Sequence, residues 1–333
     1  MDNRQILIDS LPQGELRESN YTLATTKAPQ PENGQVLCRT LAIAIEAGSR
    51  AGLQGSASYA GAPKSGIVMN GHAAARVVAS YDPAYKEGDL VTCPAGWQDY
   101  SVHEARALTR IEGSGDPARY LSALGNSGLT AYFGLFNVGQ PQAGETLLVS
   151  AAAGAVGHFV GQMGRIAGMK TVGVAGSDEK CARLVSELKF NGAINYKDGG
   201  FRANLKEVTP DGVDLYFDNT GGDVLGSALF RMNENGRIVC CGVVSQYDTS
   251  NPAPGPKGVP GLLVNKRLRM QGFLVFDHIK QYSQARSEIA GWLDSGELIA
   301  WQDEFDGLES APRALVDLLA GGNTGKRIVR VAE

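Results

Sequence analysis

Apolar and polar residues follow two alternating patterns through the middle of this chain of 333 residues. Short continuous apolar runs are typical of strands buried on both faces, and the longer amphipathic segments between them are typical of helices. The apolar runs predict strands at Thr146–Ser150, Thr171–Ala175, Ala193–Asn195, Val213–Asn219, Arg237–Gly242 and Met270–Val275. The segments between and after them predict helices at Val156–Gly168, Glu179–Leu188, Phe201–Val208, Asp223–Met232 and His278–Ser295. This regular alternation predicts an α/β fold with a doubly wound parallel sheet, the Rossmann arrangement.

The first 120 residues have a different pattern, which predicts an irregular and mostly β domain. Short β-like runs occur at Gln35–Ile45, Gly71–Ala79, Asp89–Cys93 and Tyr100–His103, with pieces rich in Gly, Ser and Pro such as Gly52–Gly66 between them. The segment Pro117–Gly134 predicts a helical entry to the middle region, with a break at Gly125, Ser127 and Gly128.

The last part of the chain predicts a return to the first domain. The segment Asn251–Gly261 is too rich in Pro and Gly for a helix or a strand. It follows a strand end, so we expect either a loop bordering the active site or an ordinary surface loop. After Trp301 the pattern predicts one helix at Ala311–Leu319 and a terminal strand at Arg327–Ala332. The predicted domains are therefore residues 1–120 with 300–333, and residues 121–299.

The turn after the first predicted strand of the middle region suits a pyrophosphate. In Ala151–Gly157 no side chain is larger than methyl until Val156, so the backbone can approach a ligand closely. Gly154 and Gly157 fill two places of the dinucleotide fingerprint, and Ala152 stands in the place of its first glycine. With Ala155, these residues carry the N–H groups that open the following helix. The alternative is a turn whose small residues only let helix and strand pack.

The tip of the next predicted strand favours NADP(H) over NAD. An NAD site usually has Asp or Glu about 20 residues past the glycines, for the ribose 2′-hydroxyl. Here Ser177 stands at the tip and can donate to a phosphate, while Lys180 supplies positive charge. The alternative is that Asp178 and Glu179 cap the helix and Lys180 is a solvated surface residue.

Composition excludes several classes of function. Apolar residues make up 43% of the chain and charged residues 20%, as in soluble globular proteins. The formal charge of −4 predicts no general affinity for nucleic acid or for anionic membranes. No apolar run reaches the length of a membrane span, and the N-terminus lacks the blocks of a signal peptide. The five scattered cysteines fit reduced thiols in the cytoplasm.

Beyond these patterns, the chain resembles a known family. The order of its domains is that of the medium-chain dehydrogenase/reductase superfamily, which combines a GroES-like β domain with a Rossmann domain. Its motifs resemble the zinc-independent branch of prostaglandin reductases, plant alkenal double-bond reductases and bacterial curcumin reductases. These motifs are AAAGAVG at Ala151–Gly157, GSDEK at Gly176–Lys180, NYK at Asn195–Lys197, FDNTGG at Phe217–Gly222, CGVVSQYD at Cys241–Asp248, GLTAYFGL at Gly128–Leu135, GFLVFD at Gly272–Asp277 and GKRIVRV at Gly325–Val331.

The resemblance is weaker in the segments that border the substrate in this family. The segment Ala44–Arg50 stands where this branch usually has Ser-x-Asp-Pro-Tyr-Met-Arg, and Gly48 replaces the aromatic that lines the pocket. The usual Met-Pro-Gly is replaced by Asn126-Ser127-Gly128. The identity of the substrate is therefore not carried over from the family.

The resemblance implies roles for individual residues. It implies that the hydroxyl of Tyr247 contacts the substrate in catalysis. It implies that Ser177, Lys180, Tyr196 and Asn323 surround the 2′-phosphate and its ribose, and that Asn219 lies along the cofactor. It also implies that Cys241 and Gly242 lie near the pyrophosphate, and that Thr130, Phe273, Leu274 and Val275 lie near the nicotinamide. The alternatives to these cofactor contacts are purely structural: a strand-end turn for Asn219, a helix exit for Asn323 and core packing for Phe273.

The residues around His72 predict no metal site. Gly71-His72 falls where zinc-dependent relatives carry Gly-His-Glu, but Ala73 replaces the Glu. No Cys stands near Glu46 or Gly48, and no cluster of four cysteines follows Cys93. One histidine without partners is not a zinc site.

Without a metal, the expected chemistry is hydride transfer from NADPH to the β-carbon of an enone or enal. Negative charge then develops on the carbonyl oxygen and needs a donor. A tyrosine suits this role, because its ordinary pKa of about 10 keeps it protonated at neutral pH. The alternatives are NADPH-dependent quinone reduction and a nucleotide-binding protein without catalysis. The partner is then a small molecule, and the branch suggests a homodimer.

Overall fold

The computed structural model describes residues 1–56, 62–113, 115–249, 251–252 and 255–332. Part of two predicted loops, residues 57–61 and 253–254, lies outside the described residues. The chain forms two compact units. The first consists of Met1–Gly125, Tyr247–Ser250 and Gln302–Glu333, and the second of Asn126–Gln246 and Asn251–Trp301.

The described residues contain the following regular elements. The strands are β1 (Asp2–Ile8), β2 (Tyr21–Lys27), β3 (Gln35–Ala44), β4 (Ala73–Ser80), β5 (Leu90–Cys93), β6 (Tyr100–Glu104), β7 (Thr109–Arg110), β8 (Thr146–Val149), β9 (Lys170–Ala175), β10 (Gly192–Asn195), β11 (Val213–Asp218), β12 (Met232–Cys240), β13 (Arg269–Gly272), β14 (Gln302–Asp306) and β15 (Lys326–Arg330). The α-helices are α1 (Gly48–Leu53), α2 (Asn126–Phe133), α3 (Gly157–Ile166), α4 (Asp178–Ser186), α5 (Phe201–Val208), α6 (Gly222–Arg231), α7 (Val259–Lys266), α8 (Tyr282–Asp294) and α9 (Ala311–Leu319). No described helix is long and apolar enough to cross a membrane.

The second unit is built on a six-stranded sheet in the order β10-β9-β8-β11-β12-β13. All of its strand pairs are parallel. Both faces are covered, as two neighbouring residues of β8 show. Leu147 lies against Gly164 of α3, whereas Leu148 packs in the cluster that contains Leu225 of α6. The predicted doubly wound parallel sheet is confirmed, and burial of both faces explains the continuous apolar runs.

The first unit contains a seven-stranded sheet and a two-stranded one. In the larger sheet the order is β14-β15-β3-β4-β5-β7, and β6 also pairs with β3. β15 is antiparallel to β3, with Ile328 opposite Ala44, so the C-terminal tail completes this sheet. Side chains of β1, β3 and α9 share one buried cluster, which includes Ile6, Val36 and Leu315. The predicted mostly β fold of this region is confirmed.

Five elements of the first unit, β1, β2, β7, β14 and α1, were not expected from the sequence. β1 and β2 form a separate antiparallel pair, and most of β2 is exposed. β14 is the edge strand of its sheet and no residue in it is buried, so its sequence lacks an apolar run. α1 has only six residues, too few for a helical period to be recognised.

Three predictions at element ends were wrong. The Pro-rich segment contains the start of α7, because Gly258 with φ of 72° precedes the helix and Pro260 occupies its first turn, where proline is tolerated. The break in the helical entry lies at Gly125 alone, since Ser127 and Gly128 are buried inside α2. The strand predicted at Met270–Val275 ends at Gly272, and a 3-10 turn precedes α8.

Candidate active site

The turn after β8 presents free backbone donors. Ala152 donates its amide to Val174 O at 2.9 Å, which fixes the turn against β9. No side chain caps α3. Among the described residues the amides of Ala155, Val156 and Gly157 have no acceptor. Three such N–H groups at the start of a helix, together with its dipole, suit an anionic group.

Gly157 is required by close packing. A Cβ atom at this residue would lie 2.3 Å from the carbonyl oxygen of Ala151 and 2.8 Å from Cα of Ala152. Further along α3, a Cβ at Gly161 would lie 1.9 Å from the ring of Phe190. These glycines bring the helix against the sheet, which is the third glycine's role in the dinucleotide fingerprint. The packing interpretation of Gly157 is therefore supported by the structure, and it is compatible with the prediction that this turn binds a pyrophosphate.

His158 stabilises the turn after β8 through hydrogen bonds of its ring. Its ring is fully buried, and Nε2 accepts a hydrogen bond from the amide of Trp301 at 3.3 Å. Because Nε2 accepts, Nδ1 carries the proton and donates it to Gly154 O at 2.8 Å. Burial lowers the pKa of His158 to about 4, although the bond to Gly154 opposes this shift. The neutral imidazole thus holds a carbonyl of the turn, a role that sequence reasoning missed.

The tip of β9 has no carboxylate of its own. Ser177 is the N-cap of α4, and its hydroxyl oxygen accepts the amide of Lys180 at 3.2 Å. Asp178 accepts from the side-chain amide of Asn195 at 3.0 Å. The cap is therefore Ser177 and not an acidic residue. The hydroxyl hydrogen of Ser177 is not used in this cap, so it can be donated to a ligand.

A second basic residue lies at this strand tip. A Cβ atom at Gly176 would lie 3.4 Å from the Tyr196 ring and 3.8 Å from Nζ of Lys197. The ammonium of Lys197 is 5.9 Å from the centre of the Tyr196 ring. In the sequence, Lys197 belongs to the NYK motif, which alone assigns it no role. Its place directly after Tyr196 was the available signal.

Asn219 joins the ends of β8 and β11. Its backbone amide donates to Ser150 Oγ at 2.9 Å, and its side-chain amide donates to Ser150 O at 2.8 Å. The buried Asp218 carboxylate accepts from the Tyr216 hydroxyl at 2.8 Å and from the amide of Gly221 at 2.9 Å. The carboxyl ends of these parallel strands are held rigidly together, at the edge where open α/β sheets bind ligands.

The backbone amides of the first two residues after β12 are already hydrogen-bonded within the protein. Those of Cys241 and Gly242 both point to Asp218 O, at 2.8 Å and 3.2 Å. If Cys241 and Gly242 lie near a pyrophosphate, their backbone can therefore only let the ligand approach closely, and their amides do not donate hydrogen bonds to it. Burial raises the pKa of Cys240 to about 11 and of Cys241 to about 12, with the charge of Asp218 adding to both shifts. Both thiols are protonated at neutral pH, so neither is a nucleophile.

The remaining candidates of the second unit lie on α2 and after β13. Thr130 is half-buried in α2. A ring atom of Phe273 lies 2.6 Å from where a Cβ of Gly134 would be, so the ring packs closely over that backbone. Leu274 is 42% exposed, whereas Val275 is buried at the start of the 3-10 turn.

Two candidates belong to the first unit. Tyr247 is half-buried in Tyr247–Ser250, although the predicted domain boundaries assigned it to the nucleotide domain. Asn323 follows α9, and its side-chain amide donates to Gly325 O at 2.9 Å.

A buried ammonium lies beside Glu46. Lys326 is 1% exposed, and Nζ donates to Glu46 Oε1 at 2.9 Å. Burial lowers the pKa of His72, Glu46 raises it and Lys326 lowers it further. The described ranges contain no group of three or more His, Cys, Asp or Glu able to hold a metal ion. A lysine cation at Glu46 would also repel a divalent cation.

Comparison with known proteins places this geometry in a family. Residues 4–111 match the family described as the N-terminal domain of oxidoreductase, and residues 155–291 match zinc-binding dehydrogenase. The NADPH-dependent curcumin reductase of Escherichia coli is 36% identical over 99% of this chain and 97% of its own length. The NADP-dependent 2-alkenal reductase of Nicotiana tabacum is 37% identical over 100% of this chain and 98% of its own length.

Structural comparison agrees. The crystal structure of CurA from Vibrio vulnificus in complex with NADPH matches with a TM-score of 0.95 and 34% identity, over 99% of both chains. The parallel sheet and its glycine turn define a dinucleotide-binding oxidoreductase fold. The chain belongs to the medium-chain dehydrogenase/reductase superfamily, in the branch of curcumin, alkenal and prostaglandin reductases.

Proposed function

We propose that this protein reduces the carbon–carbon double bond of α,β-unsaturated ketones and aldehydes with NADPH. The observation that carries the proposal is similarity along nearly the whole chain to reductases named for NADP(H) and for curcumin or 2-alkenals. The predicted cofactor and reaction class are confirmed at the level of the family. The protein is an NADP-dependent oxidoreductase.

The residues of the second unit fit this cofactor. The uncapped amides of Ala155, Val156 and Gly157 suit the pyrophosphate. Ser177 and Lys180, with Tyr196 beside them, suit a 2′-phosphate, because no carboxylate of the strand tip opposes it. We assign the second unit as the NADP-binding Rossmann domain and the first as the GroES-like substrate domain. NADPH, when bound, supplies the hydride.

The remaining assigned residues have roles that follow from the family. Thr130, Phe273, Leu274 and Val275 would contact the nicotinamide end, Asn219 the middle of the cofactor, and Asn323 the 2′-phosphate end. Cys241 and Gly242 would allow close approach near the pyrophosphate. Tyr247 would donate its hydroxyl proton in a hydrogen bond to the substrate oxygen as negative charge develops there.

We also propose that no zinc takes part, because Lys326 neutralises Glu46 where a metal ligand would be needed. Metal analysis of the purified protein should find no stoichiometric zinc. All five cysteines are unpaired, which is in keeping with a cytoplasmic location.

A homodimer through the edge strand β13 is the assembly we propose. β13 ends the sheet order of the second unit, so one of its sides has no neighbouring strand among the described residues. In the elements that precede and follow β13 in the chain, Val264 is 73% exposed, Phe276 54% and Ile279 64%. A second copy pairing antiparallel at this edge would cover the open backbone groups and this apolar surface.

A substrate panel tests the function against its alternatives. NADPH consumption with small enones and enals, in excess over simple quinones, is the expected result. Turnover with quinones alone would instead support the quinone reductase alternative. Tight NADPH binding without turnover of either class would support a nucleotide-binding protein that lacks catalysis.

A further inference from the structure

The short segment that carries Tyr247 belongs to a different unit from its flanks. Val244 and Ser245 donate their amides to Asn219 O and Thr220 O in the second unit. The next residues, Tyr247–Ser250, cluster with the first unit, and the chain returns to the second unit at Asn251. A segment this brief cannot form an element of its own. Side-chain contacts with the first unit therefore contribute to its position.

Asp248 makes two such contacts. Its Oδ1 atom accepts the amide of Leu16 at 2.7 Å and Nε of Arg50 at 2.8 Å. Arg50 in turn donates Nη2 to Gly14 O at 2.6 Å. One carboxylate, directly after Tyr247, is thus bonded to two separate parts of the first unit.

The ion pair is buried on the arginine side. Arg50 is 1% exposed, whereas the Asp248 side chain is 25% exposed. The third terminal nitrogen, Nη1, is buried and has no partner among the described residues. A buried cation with one unsatisfied donor contributes little to stability, because replacing a buried ion pair by apolar side chains is often neutral or stabilising. Such pairs are better explained by the geometry that they fix.

Arg50 is held by a short helix of the first unit. It lies in α1, two residues after Gly48, which replaces the usual aromatic.

We propose that Arg50 and Asp248 are positioning residues that fix the backbone of Tyr247, so that its hydroxyl is held ready for the substrate oxygen. This inference rests on the proposed function. Removal of the Asp248 charge would loosen the segment at the residue next to Tyr247. The hydrogen bond to the substrate oxygen would then form less often in the transition state, which lowers kcat more than it raises KM.

The test is a double-mutant cycle on the intact protein. Asp248→Asn keeps the size of the side chain and an oxygen for the Leu16 amide, but it removes the charge that holds Arg50. With one small enone and saturating NADPH, we expect kcat to fall about ten- to a hundredfold. In a Tyr247→Phe background the same substitution should have no further effect on kcat, because the hydroxyl that it positions is absent.

Asp99→Asn is the matched control. Asp99 also lies in the first unit, accepts Nε of Arg4 at 2.9 Å and accepts the amide of Arg4 at 3.0 Å, but it is remote in sequence from Tyr247. It should lower the melting temperature without changing kcat. If Asp248→Asn does not fold, Arg50→Met combined with Asp248→Asn removes both charges and leaves no buried cation unpaired. The same loss of kcat, confined to proteins that retain Tyr247, is expected.

The outcomes separate this inference from the proposed function. Equal losses of kcat with the tyrosine present and in the Tyr247→Phe background would show that Asp248 does not act through the tyrosine. A wild-type kcat for Asp248→Asn, while Tyr247→Phe is slow, would overturn the positioning role alone. A wild-type kcat for Tyr247→Phe, with hydride transfer shown to limit the rate, would remove the tyrosine from the proposed function and this inference with it.

Discussion

At the residue scale, cofactor choice depends on a few side chains at the tip of β9. Ser177 caps α4 through its oxygen and keeps its proton for a ligand, while the nearest first-turn carboxylate, Asp178, is engaged by Asn195. Lys197, close to Gly176 and Tyr196, adds a second ammonium. Positive charge at the strand tip is the feature that distinguishes a phosphate from a hydroxyl.

Lys180→Ala should weaken NADPH far more than NADH. Only NADPH carries the 2′-phosphate, and a lost charge-assisted hydrogen bond costs about 1.5–3 kcal/mol, or about ten- to a hundredfold in Kd. Titration of both cofactors by fluorescence measures the ratio, with Lys206→Ala, in α5, as a control lysine. A parallel loss of affinity for both cofactors would exclude Lys180 from the phosphate site.

His158 should make stability depend on pH. Its pKa is about 4 in the folded chain against an ordinary 6.5, so the unfolded chain binds a proton more readily between these values. The stability is complete above pH 6.5 and falls as the pH drops toward 4, by about 3 kcal/mol in all. Urea unfolding at several pH values measures this slope. His158→Gln should flatten it, and an unchanged slope would refute the assignment.

At the element scale, α3 depends on glycine where it meets the sheet. Gly161→Ala would place a methyl group 1.9 Å from the Phe190 ring, whereas Gly291 in α8 has no atom within 4 Å of a Cβ. Gly161→Ala should therefore cost about 1–3 kcal/mol of unfolding free energy. Gly291→Ala should be neutral or add up to about 1 kcal/mol, because alanine is the better helix former. Thermal unfolding of both variants compares them, and similar stabilities would contradict this packing.

The elements that the sequence predicted well are those with strong local signals. β8 and β9 are buried on both faces and therefore appear as continuous apolar runs. β14 and β2 have few buried positions, so no such run marks them. The sequence does not predict the start of α7, because proline usually breaks a helix, whereas Pro260 lies in the first turn, where proline is tolerated.

The candidate site likewise contains residues that the sequence predicts and contacts that it does not. The turn from Gly154 to Gly157 and the strand tip at Ser177 are local in sequence, so motifs and spacing could indicate them. Contacts such as Asp248 with Leu16 and Arg50, or His158 with Trp301, join residues far apart in the chain. No pattern in a single sequence announces which distant side chains will meet.

At the scale of the whole molecule, the exposed edge at β13 predicts a homodimer. Ile279→Glu places a charge on an exposed apolar side chain of the 3-10 turn that follows this strand and should yield folded monomers. Light scattering after size exclusion measures the mass, and circular dichroism checks the fold. Val185→Glu, on α4 and 42% exposed, is the control and should remain dimeric. A monomeric wild type at micromolar concentration would contradict the assembly.

The central claim is that hydride passes from NADPH to the β-carbon of a conjugated alkene. The most direct measurement uses NADPH deuterated at the transferable position of the nicotinamide with a small enone, followed by NMR of the product. We predict a saturated ketone with deuterium at the β-carbon. Deuterium on the carbinol carbon of an allylic alcohol would show carbonyl reduction and contradict the account.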